Sequence, residues 1–188
     1  MRLFVALDIP EKVRNSLAEI VTQLRPVCPN ARWARVEGLH VTLKFIGEAP
    51  LEKIEVIKTA LSSISTRASI PIDFRGFGFF PNEQRPRVLW AGVEAGPELR
   101  ELALAIETAL EPIGIPRETR PFAPHLTLAR FGSSRGVDAL HAAIHRAGSL
   151  DFGRTTAKEF HLYQSVLKRG GAEYTQLATF SFAEGRPA

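Results

Sequence analysis

The sequence predicts an α+β fold of two pseudo-symmetric lobes, each an antiparallel sheet backed by helices, with a cleft between the lobes. Three observations lead to this prediction. Short apolar runs typical of strands alternate with amphipathic helical patterns along the whole chain. The order of these patterns repeats after 85 positions. The length of 188 residues suits one compact domain, so we expect both lobes to share a single domain over residues 1–188.

Strands and helices are predicted from two different apolar spacings. Apolar and β-branched runs indicate strands, whereas apolar residues three and four positions apart, as at Val13, Leu17 and Val21, indicate a helix. The predicted strands cover residues 2–9, 40–46, 70–79, 87–93, 125–130, 160–166 and 174–182. The predicted helices cover residues 10–24, 51–61, 97–110 and 137–147, and the last two strands are expected to form a hairpin around Gly170-Gly171.

The repeat is visible as an ungapped alignment of the chain with itself. A shift of 85 positions places RLFVA at residues 2–6 on RVLWA at residues 87–91, and it places His40 on His125. Two units of similar size would align some apolar residues by chance. Chance does not easily align two His-x-Thr-Leu tetrads as well, so we interpret the pattern as an internal duplication.

Composition and charge exclude several classes of protein. Hydrophobic residues make up 45% and charged residues 23%, which are values of a globular chain and not of a disordered one. No apolar run approaches the roughly 18 residues that a membrane span needs. Asp8 interrupts the first apolar run too early for an export signal, and a single Cys28 cannot form an internal disulfide. We therefore expect a soluble cytoplasmic protein, and the net charge of +4, mostly from Arg, makes an anionic partner plausible.

The two tetrads, HVTL from His40 and HLTL from His125, carry the chemistry. Successive side chains of a strand alternate between faces, so His40 and Thr42 share one face, as do His125 and Thr127. The apolar residues between them then point into a core. If the two lobes face each other across a pseudo-twofold axis, the cleft holds two imidazoles and two hydroxyls.

Two imidazoles and two hydroxyls suit in-line displacement at phosphorus. One neutral histidine can take a proton from the attacking oxygen while a protonated histidine donates to the leaving oxygen. The threonine hydroxyls can donate to the non-bridging phosphate oxygens, where charge develops. This chemistry needs no metal.

A zinc site is the alternative use of paired histidines. Such a site normally has three or four ligands that include Cys or carboxylate, and neither tetrad is followed by one. His141 and His145 are four residues apart on a predicted helix, but Ala142 stands where a metalloprotease motif has Glu. We therefore predict neither a metal nor another cofactor.

With these flanks, the tetrads resemble the two-histidine (2H) phosphoesterase superfamily. Within it the chain is most similar to the RNA 2′,3′-cyclic phosphodiesterases, also called 2′-5′ RNA ligases or the LigT/ThpR group. The resemblance runs nearly end to end, through LFVALDIP, HVTLKFIGE, RPRVLWAGV, RPFAPHLTLAR and SVLKRGGAEY.

The resemblance implies a role for each tetrad residue. His40 matches the proton donor to the leaving 3′ oxygen, His125 matches the proton acceptor that activates water, and Thr42 and Thr127 match the phosphate-binding residues. The substrate is then an RNA with a 2′,3′-cyclic phosphate end, which is opened to a 2′-phosphomonoester. With an RNA 5′ hydroxyl as the nucleophile, the same site would form a 2′-5′ linkage without ATP. We expect a monomer.

Further substrate contacts are predicted five residues past each histidine, at Phe45 and Arg130. An aromatic ring and a guanidinium plane at these positions can hold a base by stacking. Ordinary strand packing for Phe45 and a surface ion pair for Arg130 are the alternatives. Four arginines flank the second tetrad and can attract a phosphate backbone: Arg117, Arg120, Arg130 and Arg135.

Two other functions compete with the cyclic phosphodiesterase prediction. Residues 75–79, RGFGF, match the start of the RNP1 signature of RRM domains, in which Phe77 and Phe79 would stack bases without catalysis. Asn82 stands where that signature needs an aromatic residue, and the RRM interpretation leaves both tetrads unexplained. The second competitor is a two-histidine enzyme that acts on a small cyclic phosphodiester such as ADP-ribose 1″,2″-cyclic phosphate. The tetrads indicate the reaction at phosphorus but not the group to which the phosphate is attached.

Overall fold

The computed structural model describes residues 1–64, 69–133, 135–169 and 171–182 of the chain. These residues form nine strands and four α-helices. The strands are β1 (Arg2–Asp8), β2 (Arg32–Trp33), β3 (His40–Glu48), β4 (Ile70–Phe80), β5 (Val88–Ala95), β6 (His125–Arg130), β7 (Asp151–Ala157), β8 (Glu159–Lys168) and β9 (Gly171–Ser181). The helices are α1 (Glu11–Leu24), α2 (Ile54–Ser62), α3 (Pro97–Leu110) and α4 (Val137–Arg146). Within the described residues, none of the helices is long and apolar enough to cross a membrane.

The strands form two separate sheets. The first sheet has the order β3-β1-β8-β9 and the second has the order β2-β6-β5-β4-β7. All neighbouring strands in both sheets run antiparallel. The predicted α+β fold with two antiparallel sheets is therefore confirmed.

The central strand of the first sheet is buried on both faces. All five residues from Leu3 to Leu7 are buried, which explains why the sequence of β1 is a continuous apolar run and does not alternate. On one of its faces, Phe4 stacks on His40 and on Tyr163. The aromatic ring that packs against His40 therefore belongs to the strand whose residues are buried on both faces.

The two lobes do not correspond to the two halves of the sequence. Helix α1 packs mainly against β7 and α4 of the second sheet, whereas α3 packs against β3 and α2 of the first. The chain also returns to the first sheet at its end, because β8 pairs with β1. The pairing of β1 with β3 has its counterpart 85 positions later in β5 with β6, so the internal duplication remains a prediction that this topology accommodates.

The sequence patterns missed two strands. Strand β7 is polar, with only Phe152 buried, so it lacks the apolar run that indicates a strand. Strand β2 has only two residues and lies at an edge of its sheet, where Arg32 pairs with Arg130. The predicted hairpin of β8 and β9 is present, with Lys168 opposite Gly171, while Gly170 lies outside the described residues.

A buried ion pair connects β3 to α3. The Nζ atom of Lys44 lies 2.7 Å from Oε2 of Glu107 and donates a second hydrogen bond of 2.7 Å to the carbonyl oxygen of Pro116. Lys44 is 5% exposed. Because a buried charge is costly without its partner, this pair fixes the position of α3 against the strand that begins with His40.

Replacing Lys44 with Met should lower the free energy of unfolding by about 3 kcal/mol, because it leaves the largely covered Glu107 carboxylate without its cationic partner. Lys58→Met is the matched control, since Lys58 and Glu55 form an exposed pair and the expected loss is below about 1 kcal/mol. Urea unfolding monitored by circular dichroism measures both. Equal losses in the two variants would contradict the proposed importance of the buried pair.

Candidate active site

Each tetrad opens a strand, and the two strands are in different sheets. His40 and Thr42 of β3 are half-buried, as are His125 and Thr127 of β6, while the apolar tetrad residues between and after them are buried. This alternation holds each His-Thr pair on one face of its sheet. The apolar positions of the tetrads anchor both pairs in the core.

The two imidazoles are held in the same way. The Nδ1 atom of His40 lies 2.7 Å from the carbonyl oxygen of Gly38, and Nδ1 of His125 lies 2.8 Å from that of Ala123. A carbonyl oxygen only accepts hydrogen bonds, so Nδ1 must carry the proton in both rings. Nε2 is then the atom that accepts a proton when the ring is neutral and donates one when it is charged.

Aromatic side chains surround both imidazoles. The ring of His40 stacks on Phe4 at a centroid distance of 4.6 Å and meets the edge of Tyr174 at 5.1 Å. His125 meets Phe80 edge-on at 5.0 Å and lies 6.5 Å from the ring of Trp90. These contacts restrict ring rotation, so both Nε2 atoms have fixed directions.

Burial is the main influence on the protonation of both imidazoles. It lowers the pKa of His40 and of His125, while the hydrogen bonds to Gly38 and Ala123 act in the opposite direction. The charge of His125 also lowers the pKa of His40. The charge of His125 therefore acts on His40 across the space between the sheets.

A β-bulge lies at the last residue of each tetrad. The pairing of β1 with β3 shifts at Leu43, and the pairing of β5 with β6 shifts at Leu128, because each of these residues is extra in its strand. A residue five positions after a histidine would otherwise point to the opposite face. The bulge restores Phe45 and Arg130 to the face of the His-Thr pairs.

The surroundings of Phe45 and Arg130 agree with this orientation. The ring of Phe45 lies 6.3 Å from Phe4, which also stacks on His40, and Phe45 is 59% exposed. The charge of Arg130 lowers the pKa of His125. Both predicted substrate contacts therefore lie beside the histidines, with accessible side chains.

Arg130 has a like-charged neighbour. Arg32 of β2 is its direct partner in the antiparallel pairing, so the two side chains share a face. Neither forms a salt bridge within the described residues, whereas Arg117 pairs with Glu111 at 2.8 Å. Like charges directly opposite each other are unfavourable unless an anion lies between them.

Of the remaining arginines predicted near the second tetrad, Arg120 and Arg135 are exposed and lie outside the strands and helices.

Three residues near His40 have no site role predicted from the sequence: Asp8, Tyr163 and Tyr174. Asp8 is the direct pairing partner of His40, and its Oδ1 accepts a 2.5 Å hydrogen bond from the hydroxyl of Tyr163. Tyr174 lies against both His40 and Phe4. One sequence signal could have indicated Asp8: it is a charged residue at the end of an otherwise apolar strand, in the segment LFVALDIP.

His141 packs against the RNP1-like segment. Phe79 packs against His141 at 4.4 Å and Phe77 packs against Phe152 at 5.2 Å. Both phenylalanines are therefore partly covered on the side of α4, and the arrangement does not support an RRM. Among the described residues, no three His, Cys, Asp or Glu side chains are grouped closely enough to hold a metal ion.

Comparisons with known proteins bear out the resemblance noted in the sequence. Residues 9–169 match the family model of the 2′-5′ RNA ligase superfamily. The chain is 35% identical over 180 residues to the RNA 2′,3′-cyclic phosphodiesterase of Archaeoglobus fulgidus, which covers 96% of this chain and 99% of the relative. The relative of the same name from Thermus thermophilus is 39% identical over 191 residues, with coverage of 96% and 90%.

The fold is also similar to solved structures. E. coli LigT in complex with 3′-AMP superposes with a TM-score of 0.81 at 26% identity, covering 97% of this chain and 98% of that chain. A protein from Thermus thermophilus superposes with a TM-score of 0.79 at 34% identity, covering 99% and 100%.

The burial of both imidazoles predicts how stability depends on pH. Because their pKa values are lowered in the folded protein, the unfolded chain binds more protons at mildly acidic pH. The free energy of unfolding should therefore fall as the pH drops from 7 through the unfolded value of about 6.5. The fall should end once the pH is below the lowered pKa values of the folded protein.

Urea unfolding at several pH values between 5 and 8 measures this dependence. A His40→Asn/His125→Asn double variant keeps a side-chain N–H donor but cannot titrate, so its stability should fall less with acidification. His145→Asn on the exposed face of α4 is the control and should keep the wild-type dependence. A double variant with the same dependence as the wild type would contradict the interpretation.

Proposed function

The chain belongs to the 2′-5′ RNA ligase superfamily, and we propose that it opens 2′,3′-cyclic phosphates at RNA ends by metal-free acid-base catalysis with His40 and His125. The observation that carries the proposal is the matched pair of imidazoles. Each is fixed through Nδ1 and leaves Nε2 for proton transfer. The names of the curated relatives support the same activity.

The proposed reaction is an in-line displacement in which one bond to phosphorus forms and another breaks. Nε2 of neutral His125 takes a proton from water while the water oxygen bonds to phosphorus. The bond from phosphorus to the 3′ oxygen breaks, and Nε2 of protonated His40 gives its proton to that oxygen. The product is a 2′-phosphomonoester with a free 3′ hydroxyl. Each proton transfer contributes about 10²- to 10⁴-fold to the rate.

The two threonines complete the site. Thr42 and Thr127 share a face with the histidines two residues before them, and their hydroxyls can donate to the non-bridging phosphate oxygens. An RNA 5′ hydroxyl can replace water as the attacking group: His125 takes its proton, His40 again protonates the leaving 3′ oxygen, and a 2′-5′ linkage forms without ATP. The histidines exchange roles only when that linkage is cleaved back to the cyclic phosphate. Both imidazoles come from one chain, so the proposed cytoplasmic monomer needs no partner for the chemistry.

Phe45 and Arg130 are proposed to hold the terminal base between a ring and a guanidinium plane. Both have accessible side chains on the face of the tetrads, at equivalent positions after the two bulges. Arg32, opposite Arg130, places a second positive charge beside this position. We assign Arg32 to the phosphate that precedes the terminal nucleotide, since an anion between the two guanidinium groups relieves their repulsion.

The catalytic assignment is tested with a short RNA ending in a 2′,3′-cyclic phosphate, incubated in EDTA. The wild type should release a 2′-phosphate, and His40→Ala and His125→Ala should each lose at least about 10²-fold in kcat, because each variant loses one proton transfer. His145→Ala, on the exposed face of α4, should retain wild-type activity. Product position is resolved by chromatography against 2′- and 3′-phosphate standards.

Three outcomes would change the proposal. A 3′-phosphate product would retain the two-histidine mechanism but reverse the assigned leaving oxygen. Activity that disappears in EDTA would point to a metal site. Turnover of ADP-ribose 1″,2″-cyclic phosphate, with every RNA end left intact, would make a small cyclic phosphodiester the substrate.

The role of Arg32 is tested by comparing substrates with and without a preceding phosphate. Arg32→Gln should raise KM about three- to tenfold for a trinucleotide with a cyclic end and leave KM for a 2′,3′-cyclic mononucleotide unchanged. The salt slope of log KM for the trinucleotide should fall by about 0.7. Arg117→Gln is the control, because Arg117 already pairs with Glu111. An equal effect of Arg32→Gln on both substrates would overturn the assignment.

A further inference from the structure

The proposed reaction requires two unequal histidines, although the tetrads and their backbone hydrogen bonds are equivalent. One imidazole must begin protonated and the other neutral. His40 and His125 are both half-buried, and both donate Nδ1–H to a carbonyl oxygen two residues earlier. The difference between them must therefore come from residues outside the tetrads.

The strand partner of each histidine provides this difference. His40 is paired directly with Asp8, so the Asp8 side chain lies on the same face as the imidazole. His125 is paired with Gly92, which has no side chain. A Cβ atom at Gly92 would lie 2.2 Å from the carbonyl oxygen of Arg75, so this position does not admit any larger residue.

The Asp8 carboxylate is held in place by neighbouring strands. Its Oδ1 accepts a 2.5 Å hydrogen bond from the hydroxyl of Tyr163, and its Oδ2 lies 3.7 Å from Nε2 of His161. Burial raises the pKa of Tyr163, and the hydrogen bond to Asp8 raises it further, so the phenol remains a donor. Asp8 is therefore oriented by the fold, although its side chain is 52% exposed.

A carboxylate is among the charged groups that act on His40. Asp8 raises the pKa of His40, against the effects of burial and of the positive charges of His125 and Arg14. The guanidinium of Arg14 donates to the carbonyl oxygens of Ile9, Val36 and Glu37. The phenol of Tyr174 also faces His40.

Around His125 the balance is different. Its pKa is lowered by burial and by Arg130, and among the described residues no carboxylate opposes these effects. The rings that face it, Phe80 and Trp90, carry no charge.

We propose that Asp8 is a positioning residue that makes His40 the proton donor by stabilising its imidazolium form, while the position opposite His125 is kept empty of a carboxylate. This inference deepens the proposed function and rests on it. Asp8 acts through His40 and does not contact the reacting atoms. The duplicated tetrads thereby acquire opposite roles from one strand position, which carries Asp in β1 and Gly in β5.

The test uses Asp8→Asn, which keeps an oxygen to accept the Tyr163 hydrogen bond but removes the charge. The alkaline limb of the pH profile of kcat/KM should move to lower pH, because His40 then loses its proton more easily. On that limb the loss should be about three- to tenfold, with little change on the acidic limb. Asp8→Glu should restore much of the wild-type profile. Glu159→Gln is the matched control, since its carboxylate lies 3.7 Å from His161, as that of Asp8 does.

Proton NMR titration of the free protein gives a second measurement that needs no substrate. In Asp8→Asn the His40 resonance should titrate at lower pH, while that of His125 moves much less. This result would stand even if no cyclic phosphate were turned over, so a failure of the proposed function is distinguishable. Three results would overturn the inference: an unmoved His40 titration, an equal shift at both histidines, or an equal effect of Glu159→Gln. A loss of activity that is uniform across pH would indicate a structural role only.

Discussion

The hydrogen bond from each cleft imidazole to a carbonyl two residues upstream is the constraint on which the rest of the site depends. The bond fixes the tautomer, because a carbonyl oxygen cannot donate, and it directs Nε2 away from the backbone. The apolar residues of each tetrad then anchor the strand, and aromatic rings prevent the imidazole from rotating. Proton transfer at a defined atom therefore results from local backbone geometry and packing together.

The packing that orients the imidazoles also opposes their protonation. Aromatic neighbours exclude water and lower the pKa of both rings, which suits a proton acceptor but not a proton donor. A site with two equally buried histidines would therefore contain two bases and no acid. The carboxylate of Asp8, at the strand position opposite His40, opposes this effect at one of the two rings.

The tetrads and their faces were predictable because strand alternation follows directly from backbone geometry. The orientation of Phe45 and Arg130 was not, since the bulges at Leu43 and Leu128 have no local sequence signal and each occurs within a pair of buried residues. Strand β7 was missed because it is polar and needs only β4 as a partner. The sheets on which α1 and α3 pack could not be predicted from the sequence either. An amphipathic pattern shows that one face of a helix is buried, but it does not show which sheet covers that face.

The exchange of helices has a consequence for the cleft. Helix α1 follows a strand of the first sheet but packs on the second, and α3 follows a strand of the second sheet but packs on the first, so each helix connects the two sheets. The relative position of the two sheets is thus set by the core and not by a flexible connection, and the buried pair of Lys44 and Glu107 reinforces it. Lys44 follows the bulge residue directly, so the ion pair acts on the strand segment between Thr42 and Phe45. The interactions that stabilise the fold therefore also fix the separation of the imidazoles, and in-line displacement depends on that separation remaining constant.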